Sequence, residues 1–283
     1  MNAYDLIVIG SGPAGRRAAV QAAKLGRSVL VVEKGRRVGG VSVHTGTIPS
    51  KTFRETVRNL PGWRERGFYG SAYRVKKAIG AGDLLSRLRM TLNHEVDVLE
   101  HQFARNAVET MIGTARFVDP HRVEVGCGEG ETHVVEGERF LIGVGTRPYR
   151  PADVPFNGTS VLDSDEVIEI DRLPRSLTVL GAGVIGVEYA TIFSALDVHV
   201  TLVESRPTIL DFVDRELTDD FVHQLRDRGV TMRLGCKVER IAFDRDWPVA
   251  VLENGQHVRS QMLLYTGGRV GATHDHGRRP VGG

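Results

Sequence analysis

The chain has 283 residues and is poor in cysteine: Cys127 and Cys236 are the only two. They sit in separate strand-like segments and form no Cys-x-x-Cys pair. That spacing argues against a disulfide framework and a thiolate metal site, and two small buried or half-buried thiols are expected instead. Long apolar runs are also missing, so no segment can span a bilayer and no membrane contact is expected. Met1-Asn2-Ala3-Tyr4-Asp5 leads straight into a strand without a charged n-region or cleavage site, which points to the cytoplasm rather than export. Charge of one sign is lacking too. With 37 basic and 35 acidic residues the net charge is +2, which argues against a dedicated nucleic-acid binder. The basic and aromatic stretch from Trp63 to Lys77 has no accompanying nucleic-acid motif and reads as a solvated loop. His94-Glu95 begins like a zinc-protease motif, but Val98 stands where the second histidine would be. His274 and His276 fall in a glycine- and arginine-rich tail, read as a frayed terminus with no metal.

What is present begins with a strand. Asp5-Leu6-Ile7-Val8-Ile9 is an apolar, β-branched run that reads as a buried parallel strand. It enters Gly10-Ser11-Gly12-Pro13-Ala14-Gly15, then a helix from Arg16 to Leu25 stopped by Gly26, then a second strand, Ser28 to Val32, ending in Glu33. A bare G-x-G-x-x-G carries little information. Between a strand and a helix, with an acid closing the next strand, it is a dinucleotide fingerprint. Gly10 permits the tight turn, Gly12 lets backbone N–H groups reach a pyrophosphate, and Gly15 lets helix and strand approach. The helix N-terminus favours negative charge, and Glu33 can accept a hydrogen bond from a ribose hydroxyl.

The chain then changes character several times. A helix is expected through Val57 and ends at Leu60-Pro61-Gly62. Asp83 can cap a long helix from Leu84 to Arg105, whose Leu85, Leu88, Leu92, Leu99 and Phe103 recur at helical spacing, with His94 and His101 solvated. Short alternating strands follow at 111–117, 122–125, 133–135 and 139–144, read as an antiparallel meander inserted into the first domain. Gly143-Val144-Gly145-Thr146-Arg147-Pro148 suggests a crossing between domains, and 149–174 reads as a linker, with Asn157-Gly158-Thr159 as a turn. Then the opening pattern returns: strand 177–180, Gly181-Ala182-Gly183-Val184-Ile185-Gly186, helix 187–196, strand 199–203 and Glu204. Twenty-three positions separate Gly10 from Glu33, and twenty-three separate Gly181 from Glu204. The repeat predicts two dinucleotide sites, one for a tightly held cofactor and one for a mobile nucleotide. Beyond it come an amphipathic helix over 214–228, strands at 231–234 and 238–243, a hairpin of 248–252 and 257–258 around Asn254-Gly255, and a buried strand at 262–265.

Val38-Gly39-Gly40-Val41-Ser42-Val43-His44-Thr45-Gly46-Thr47-Ile48-Pro49-Ser50-Lys51 follows the first unit. By itself it reads as a loop entering a helix. Pro49 suits a first helical turn, and Gly39-Gly40 allow close approach of backbone to a ligand. Together with the two fingerprints and Gly143 to Pro148, it resembles the flavin-facing segment of the pyridine nucleotide–disulfide oxidoreductases. Most of that family carry a redox cysteine pair in two places that here hold Ser42 and Thr47. The cysteine-free Thr-Gly-Thr-Ile-Pro-Ser-Lys version resembles the soluble, Si-specific transhydrogenase branch, as do the Trp63–Tyr73 loop and the His94–Arg105 helix.

The resemblance implies an α/β fold with two Rossmann-like dinucleotide-binding domains, the first containing the antiparallel meander. Residues 1–155 would be the first segment of an FAD domain, 156–270 an NAD(P) domain and 271–283 a short tail. It implies FAD contacts from Gly10, Gly12, Pro13, Ala14, Gly15, Glu33, Lys34, Gly39, Gly40, Val41, Ser42 and Thr47, with Ala115 and Gly145 near the adenosine half. Lys51 would sit beside the flavin's reactive nitrogen, paired with Glu188. Gly181, Gly183, Val184, Ile185, Gly186, Glu204, Arg206 and Gly268 would hold the nicotinamide nucleotide. Glu204 would favour NAD through a ribose hydroxyl, and Arg206 would offset its repulsion of the NADP phosphate. The implied reaction is hydride transfer from NADPH through FAD to NAD+, by a ping-pong route that needs no thiol. A dihydrolipoamide or mercuric reductase relative, and a nucleotide-binding remnant without hydride transfer, are the two competing readings. The family homo-oligomerises and continues past the equivalent of Gly268 with a second flavin-domain segment and a dimerisation domain. The resemblance therefore implies a shortened copy with weakened FAD retention and low activity.

Overall fold

The computed structural model describes residues 3–59, 81–128 and 130–273. They form two compact units, one of residues 3–48, 90–147 and 270–273, the other of 49–59, 81–89 and 148–269. The expectations for Leu60-Pro61-Gly62, for Trp63–Lys77 and for the tail histidines lie outside the described residues.

The first unit is built on one six-stranded sheet. Its strands are β1 (Ala3–Ile9), β2 (Val29–Glu33), β3 (Glu109–Ile112), β4 (Thr114–Asp119), β5 (Arg122–Gly128) and β6 (Glu131–Ile142), in the order β3-β2-β1-β6-β5-β4. β1, β2, β3 and the second half of β6 run parallel; β4 and β5 are antiparallel. β2 shows how the two faces divide. Val29 and Val31 pack with Ala19 and Val20 of α1 (Pro13–Lys24) and with Val96, Leu99 and Phe103 of α4 (Ala81–Arg105). Leu30 and Val32 point the other way, onto Val123, Val125 and Val135 of the meander. Strand alternation thus feeds one row to helices and the other to a curled-over continuation of the same sheet.

Several boundaries differ from the sequence reading. α1 begins at Pro13, three residues earlier than expected, because proline needs no donor at a helix start. α4 begins at Ala81, which places Asp83 within the first turn. The expected 111–117 strand is split at Gly113, where a side chain would meet Val125 Cγ1 at 2.6 Å and the Gly126 carbonyl at 2.8 Å. β3 therefore joins β2 while β4 joins β5. The expected 133–135 and 139–144 strands are one strand, β6, whose first half pairs with β5 and second half with β1. Gly137 marks the change of partner, and Ile7 Cδ1 lies 2.8 Å from where its side chain would be. The meander is thus continuous with the parallel sheet and not an insert beside it.

The second unit repeats the plan. β8 (Val161–Asp163), β9 (Ser176–Leu180), β10 (His199–Glu204), β11 (Thr231–Leu234) and β15 (Met262–Tyr265) form a parallel sheet in the order β11-β10-β9-β15-β8. β8 comes from the stretch read as a linker; three residues are too few to show a pattern, yet all three are buried. Between β11 and β15 lies an antiparallel meander, β12 (Val238–Asp244), β13 (Trp247–Leu252) and β14 (His257–Arg259). Its Ala250 and Leu252 pack on Val161, Leu180, Val203 and Leu263 of the parallel sheet. In both units the strand beside the acid-bearing one, β3 or β11, leads into a meander, and the chain then returns beside the strand that enters the glycine turn, β6 on β1 or β15 on β9. Its helices include α5 (Val184–Ser194) and α6 (Arg215–Asp227), the latter capped by Asp214, whose carboxylate accepts from the Glu216 N–H at 2.9 Å. Short β7 (Thr146–Pro148) and β16 (Arg269–Gly271) lie where the chain passes from one unit to the other.

α2 (Gly40–His44) and α3 (Thr47–Asn59) follow the first fingerprint. The residues of α3 from Pro49 onward belong to the second unit, where Phe53 packs against Phe193 of α5 with ring centroids 6.4 Å apart. Both rings are almost fully buried. Phe193→Ala should cost about 3–5 kcal/mol of stability, read as a lowered urea midpoint. A change below about 1 kcal/mol would show that the α3–α5 contact is not a packed core.

Candidate functional site

The first glycine turn is fixed by its own strand ends. The Gly10 N–H donates to the Val32 carbonyl at 2.8 Å, and the Gly143 N–H to the Ile9 carbonyl at 2.8 Å. Gly15 lies against Gly10 so closely that a side chain there would sit 1.9 Å from the Gly10 carbonyl oxygen. Gly12 is the reverse: a side chain there would meet nothing within 4 Å. The turn is therefore crowded on its helix side and open at Gly12, where α1 begins. That opening, with backbone N–H groups at a helix start, fits a pyrophosphate.

Glu33 anchors the turn. Its Oε2 accepts from the Ser11 N–H at 2.9 Å and from the Ser11 hydroxyl, and its Oε1 accepts from the Gly35 N–H at 2.8 Å. Ser11 in turn accepts from the Gly39 N–H at 2.8 Å, which brings the Gly39–Gly40 segment to the turn. A side chain at Gly40 would lie 2.9 Å from the Gly12 Cα, so this approach also requires glycine. On the loop between β2 and α2, Arg37 reaches Asp97 at 2.7 Å and Glu100 at 3.0 Å on α4.

The second turn repeats the backbone hydrogen bonds of the first. The Gly181 N–H donates to the Val203 carbonyl at 2.8 Å, and the Thr266 N–H to the Leu180 carbonyl at 2.8 Å. The Ala182 N–H donates to Glu204 Oε2 at 2.7 Å, and the Arg206 N–H to Glu204 Oε1 at 3.0 Å. A side chain at Gly186 would lie 1.9 Å from the Gly181 carbonyl oxygen, while Gly183 faces open space. The carbonyl of each acid accepts from the exit of the neighbouring strand, β3 or β11: Gly113 N–H at 2.8 Å in one unit and Cys236 N–H at 3.0 Å in the other.

The charge around the two acids differs. Position 35 is glycine; position 206 is arginine. The Arg206 guanidinium lies on Glu204 with Nε to Oε1 at 3.0 Å and Nη2 to Oε2 at 3.0 Å, and its Nη1 reaches Asp211 at 2.7 Å. Burial pushes the Glu204 carboxyl up, but hydrogen bonds from the Arg206 side chain and the Ala182 N–H outweigh it and hold the pKa at about 2. A cavity of about 720 Å³ opens here, lined by Gly181, Gly183, Glu204, Arg206 and Gly268, with Tyr149, Tyr265, Lys237 and Arg240. Its size suits a ligand of several rings.

Lys51 and Glu188, 137 positions apart, form an ion pair through Lys51 Nζ and Glu188 Oε1. Lys51 is half exposed, whereas Glu188 is largely covered. Ser42 is half-buried and donates to the Gly39 carbonyl at 3.2 Å; Thr47 is exposed at the start of α3. Cys127 and Cys236 are free, half-buried thiols, as expected. The other residues named from the sequence are placed as follows. Pro13, Ala14, Lys34, Gly145 and Val184 are exposed, Val41 and Ile185 are half-buried, and Ala115 is buried within β4. Sequence reasoning missed the Ser11 hydroxyl, the Arg37 clamp, Asp211 and the tyrosines and cations lining the cavity. Only Ser11, inside the fingerprint, offered a positional signal.

Two predictions follow from this geometry. Gly12→Ala and Gly183→Ala should fold with near-normal thermal midpoints yet bind dinucleotide weakly, because the methyl enters the open space. Gly15→Ala and Gly186→Ala should fail to fold properly, because the methyl meets backbone. Circular dichroism and nucleotide titration of the four variants check this, and equal behaviour would contradict it. The lowered Glu204 pKa makes a second demand. Its stabilisation is present above the ordinary carboxyl value of 4.5 and is lost as pH falls toward about 2. Glu204→Gln should therefore be less stable than the natural chain at neutral pH, and the gap in urea midpoints should close in acid.

Comparison with known proteins places this geometry. The profile of the family described as pyridine nucleotide-disulphide oxidoreductase matches residues 4–278. The chain is 46% identical over 277 residues to the soluble pyridine nucleotide transhydrogenase of Mycobacterium bovis (strain BCG / Pasteur 1173P2), covering 98% of this chain and 59% of that protein. It is 37% identical over 279 residues to the protein of the same name from Stutzerimonas stutzeri (strain A1501), covering 99% and 60%. Among solved structures it resembles the HOCl-induced flavoprotein disulfide reductase RclA from Escherichia coli, with a TM-score of 0.81 at 28% identity over 96% of this chain and 58% of that one. LpdA from Mycobacterium tuberculosis shares the fold, with a TM-score of 0.87 at 23% identity over 97% and 60%. The chain thus spans about three fifths of the length of these relatives. No helix among the described residues is long and apolar enough to cross a membrane. By the match along almost its whole length, the chain belongs to the pyridine nucleotide-disulphide oxidoreductase family, whose members bind FAD and a nicotinamide dinucleotide.

Proposed function

We propose that this chain is a cytoplasmic, Si-specific pyridine nucleotide transhydrogenase that moves hydride between NADPH and NAD+ by way of FAD. The observation that carries the reading is the pair of matching acid-anchored turns in one chain, combined with a Lys51–Glu188 pair and no cysteine at positions 42 and 47. Residues 1–155 form the FAD segment and 156–270 the NAD(P) segment. FAD, when bound, supplies the hydride-accepting and hydride-donating ring.

The chain's own residues do the rest. Gly12 and the start of α1 offer backbone donors to the FAD pyrophosphate, and Glu33 accepts a hydroxyl of its adenosine ribose. Gly39 to Ser42, with Thr47, line the flavin side without presenting a thiol, so no disulfide substrate is served. Lys51 places a cation where negative charge develops on reduction, and Glu188 holds that cation in position. Gly183 and Glu204 receive the nicotinamide nucleotide in the second unit. Arg206 offsets the charge of Glu204, so that a phosphorylated ribose is also admitted.

The test is to purify the chain, release and quantify its flavin, and follow hydride passage from NADPH to an NAD analogue. Transfer without any dithiol substrate is expected. Lys51→Gln should slow it by roughly 100-fold while nucleotide binding persists. Nucleotide binding with no transfer would overturn the reading, and so would reduction of a lipoamide-type disulfide.

A further inference from the structure

The role of Arg206 at the second turn leaves one neighbour unexplained. Asp211, on the loop between β10 and α6, takes Arg206 Nη1 at 2.7 Å from a half-exposed position. Arg206 is therefore shared: Nε and Nη2 lie on Glu204, and Nη1 lies on Asp211. The first unit has no counterpart, because glycine stands at position 35 where the second unit has its arginine.

NAD(H) and NADP(H) differ by one phosphate on the adenosine 2′ oxygen, and the acid at the end of the second strand meets that position. Glu204 suits a hydroxyl and opposes a phosphate. Arg206 is the group that can accept the phosphate, and it does so best through two parallel N–H donors. In the arrangement seen, the guanidinium edge is already divided between two carboxylates. Releasing Glu204 would leave a buried carboxylate short of its donors, which is costly. Releasing Asp211 is the easier step, because that carboxylate can return to water. Asp211 thus competes directly with the 2′-phosphate for the same N–H. Its own repulsion of a phosphate acts through solvent and is screened, so its influence runs through Arg206.

Resting on the assignment of the second unit as the nicotinamide-nucleotide site, we propose that Asp211 sets the preference of this pocket. By holding Arg206 toward Glu204 it favours NAD(H), and NADP(H) binds only when the Arg206–Asp211 pair opens. Asp211 is a positioning residue that discriminates by competition. Lys237 and Arg240 line the same cavity, but so do Asp153 and Glu239, and Lys237 is paired with Glu253 at 2.7 Å, so Arg206 remains the group on which admission of the phosphate turns.

The test uses the full chain, kept saturated with FAD so that the first unit does not take up the probes, and two ligands without a nicotinamide, ADP and 2′,5′-ADP, titrated calorimetrically, so that turnover does not enter. The natural chain should bind ADP more tightly. Asp211→Asn should tighten 2′,5′-ADP by about fivefold or more and leave ADP within about twofold. Asp211→Ser should do the same, with thermal midpoints confirming that both variants fold. In an Arg206→Gln background, Asp211→Asn should move the 2′,5′-ADP affinity by less than about twofold. A natural preference for 2′,5′-ADP would overturn the inference. So would an unchanged ratio in Asp211→Asn, or a shift that persists without Arg206. A folded chain that binds neither ligand would overturn the nucleotide assignment itself, and this inference with it.

Discussion

Both units depend on a carboxylate at the end of a buried strand that accepts hydrogen bonds from the backbone of the neighbouring glycine turn. Glu33 does this for Ser11 and Gly35, and Glu204 for Ala182 and Arg206. Each acid is nearly covered, so its donors replace water that the fold has removed. The turn is thereby held open at Gly12 and at Gly183, while Gly15 and Gly186 press the helix onto the strand. An anion site made of backbone N–H groups works only if those groups are aimed in advance, and the strand-end acid does the aiming.

The same scaffold gives two different electrostatic surroundings. Around Glu33 the donors are backbone N–H groups and one serine hydroxyl. Around Glu204 a guanidinium covers both carboxylate oxygens and drags the pKa down to about 2. That guanidinium is shared with Asp211, so a second anion must displace a carboxylate from it. The difference between the sites thus comes from two positions, serine at 11 against alanine at 182 and glycine at 35 against arginine at 206. Lys51 and Glu188 pair within the second unit. Their pairing follows from the packing of α3 on α5 through Phe53 and Phe193, so a hydrophobic contact positions the charged pair.

Much of this was legible because the turns are local. Glycine turn, helix, strand and acid occupy 24 consecutive residues in each copy, and the structure reproduces the steric reason for Gly10, Gly15, Gly181 and Gly186. The Lys51–Glu188 pair was legible only through resemblance, since nothing in 137 positions of separation links the two. What was not legible is long-range or short. β8 is three residues inside a polar stretch, and burial on the sheet edge comes from neighbours that the sequence does not place. β6 reads as two strands because Glu136, Gly137 and Glu138 interrupt its apolar pattern, yet it changes partner there without a break. That both meanders follow the strand beside the acid-bearing one, after β3 and after β11, emerges only from the pairing. Asp211 gave no signal either, because its role depends on where the Arg206 side chain ends.

The central claim is that two copies of one acid-anchored turn serve two different dinucleotides. The most direct measurement is the binding of FAD and of NADH, each at equilibrium, to Glu33→Ala and to Glu204→Ala. The account predicts that the first variant loses FAD and keeps NADH, and that the second loses NADH and keeps FAD. If either substitution removes both ligands from a folded protein, or if the losses are exchanged, the two-site account is wrong.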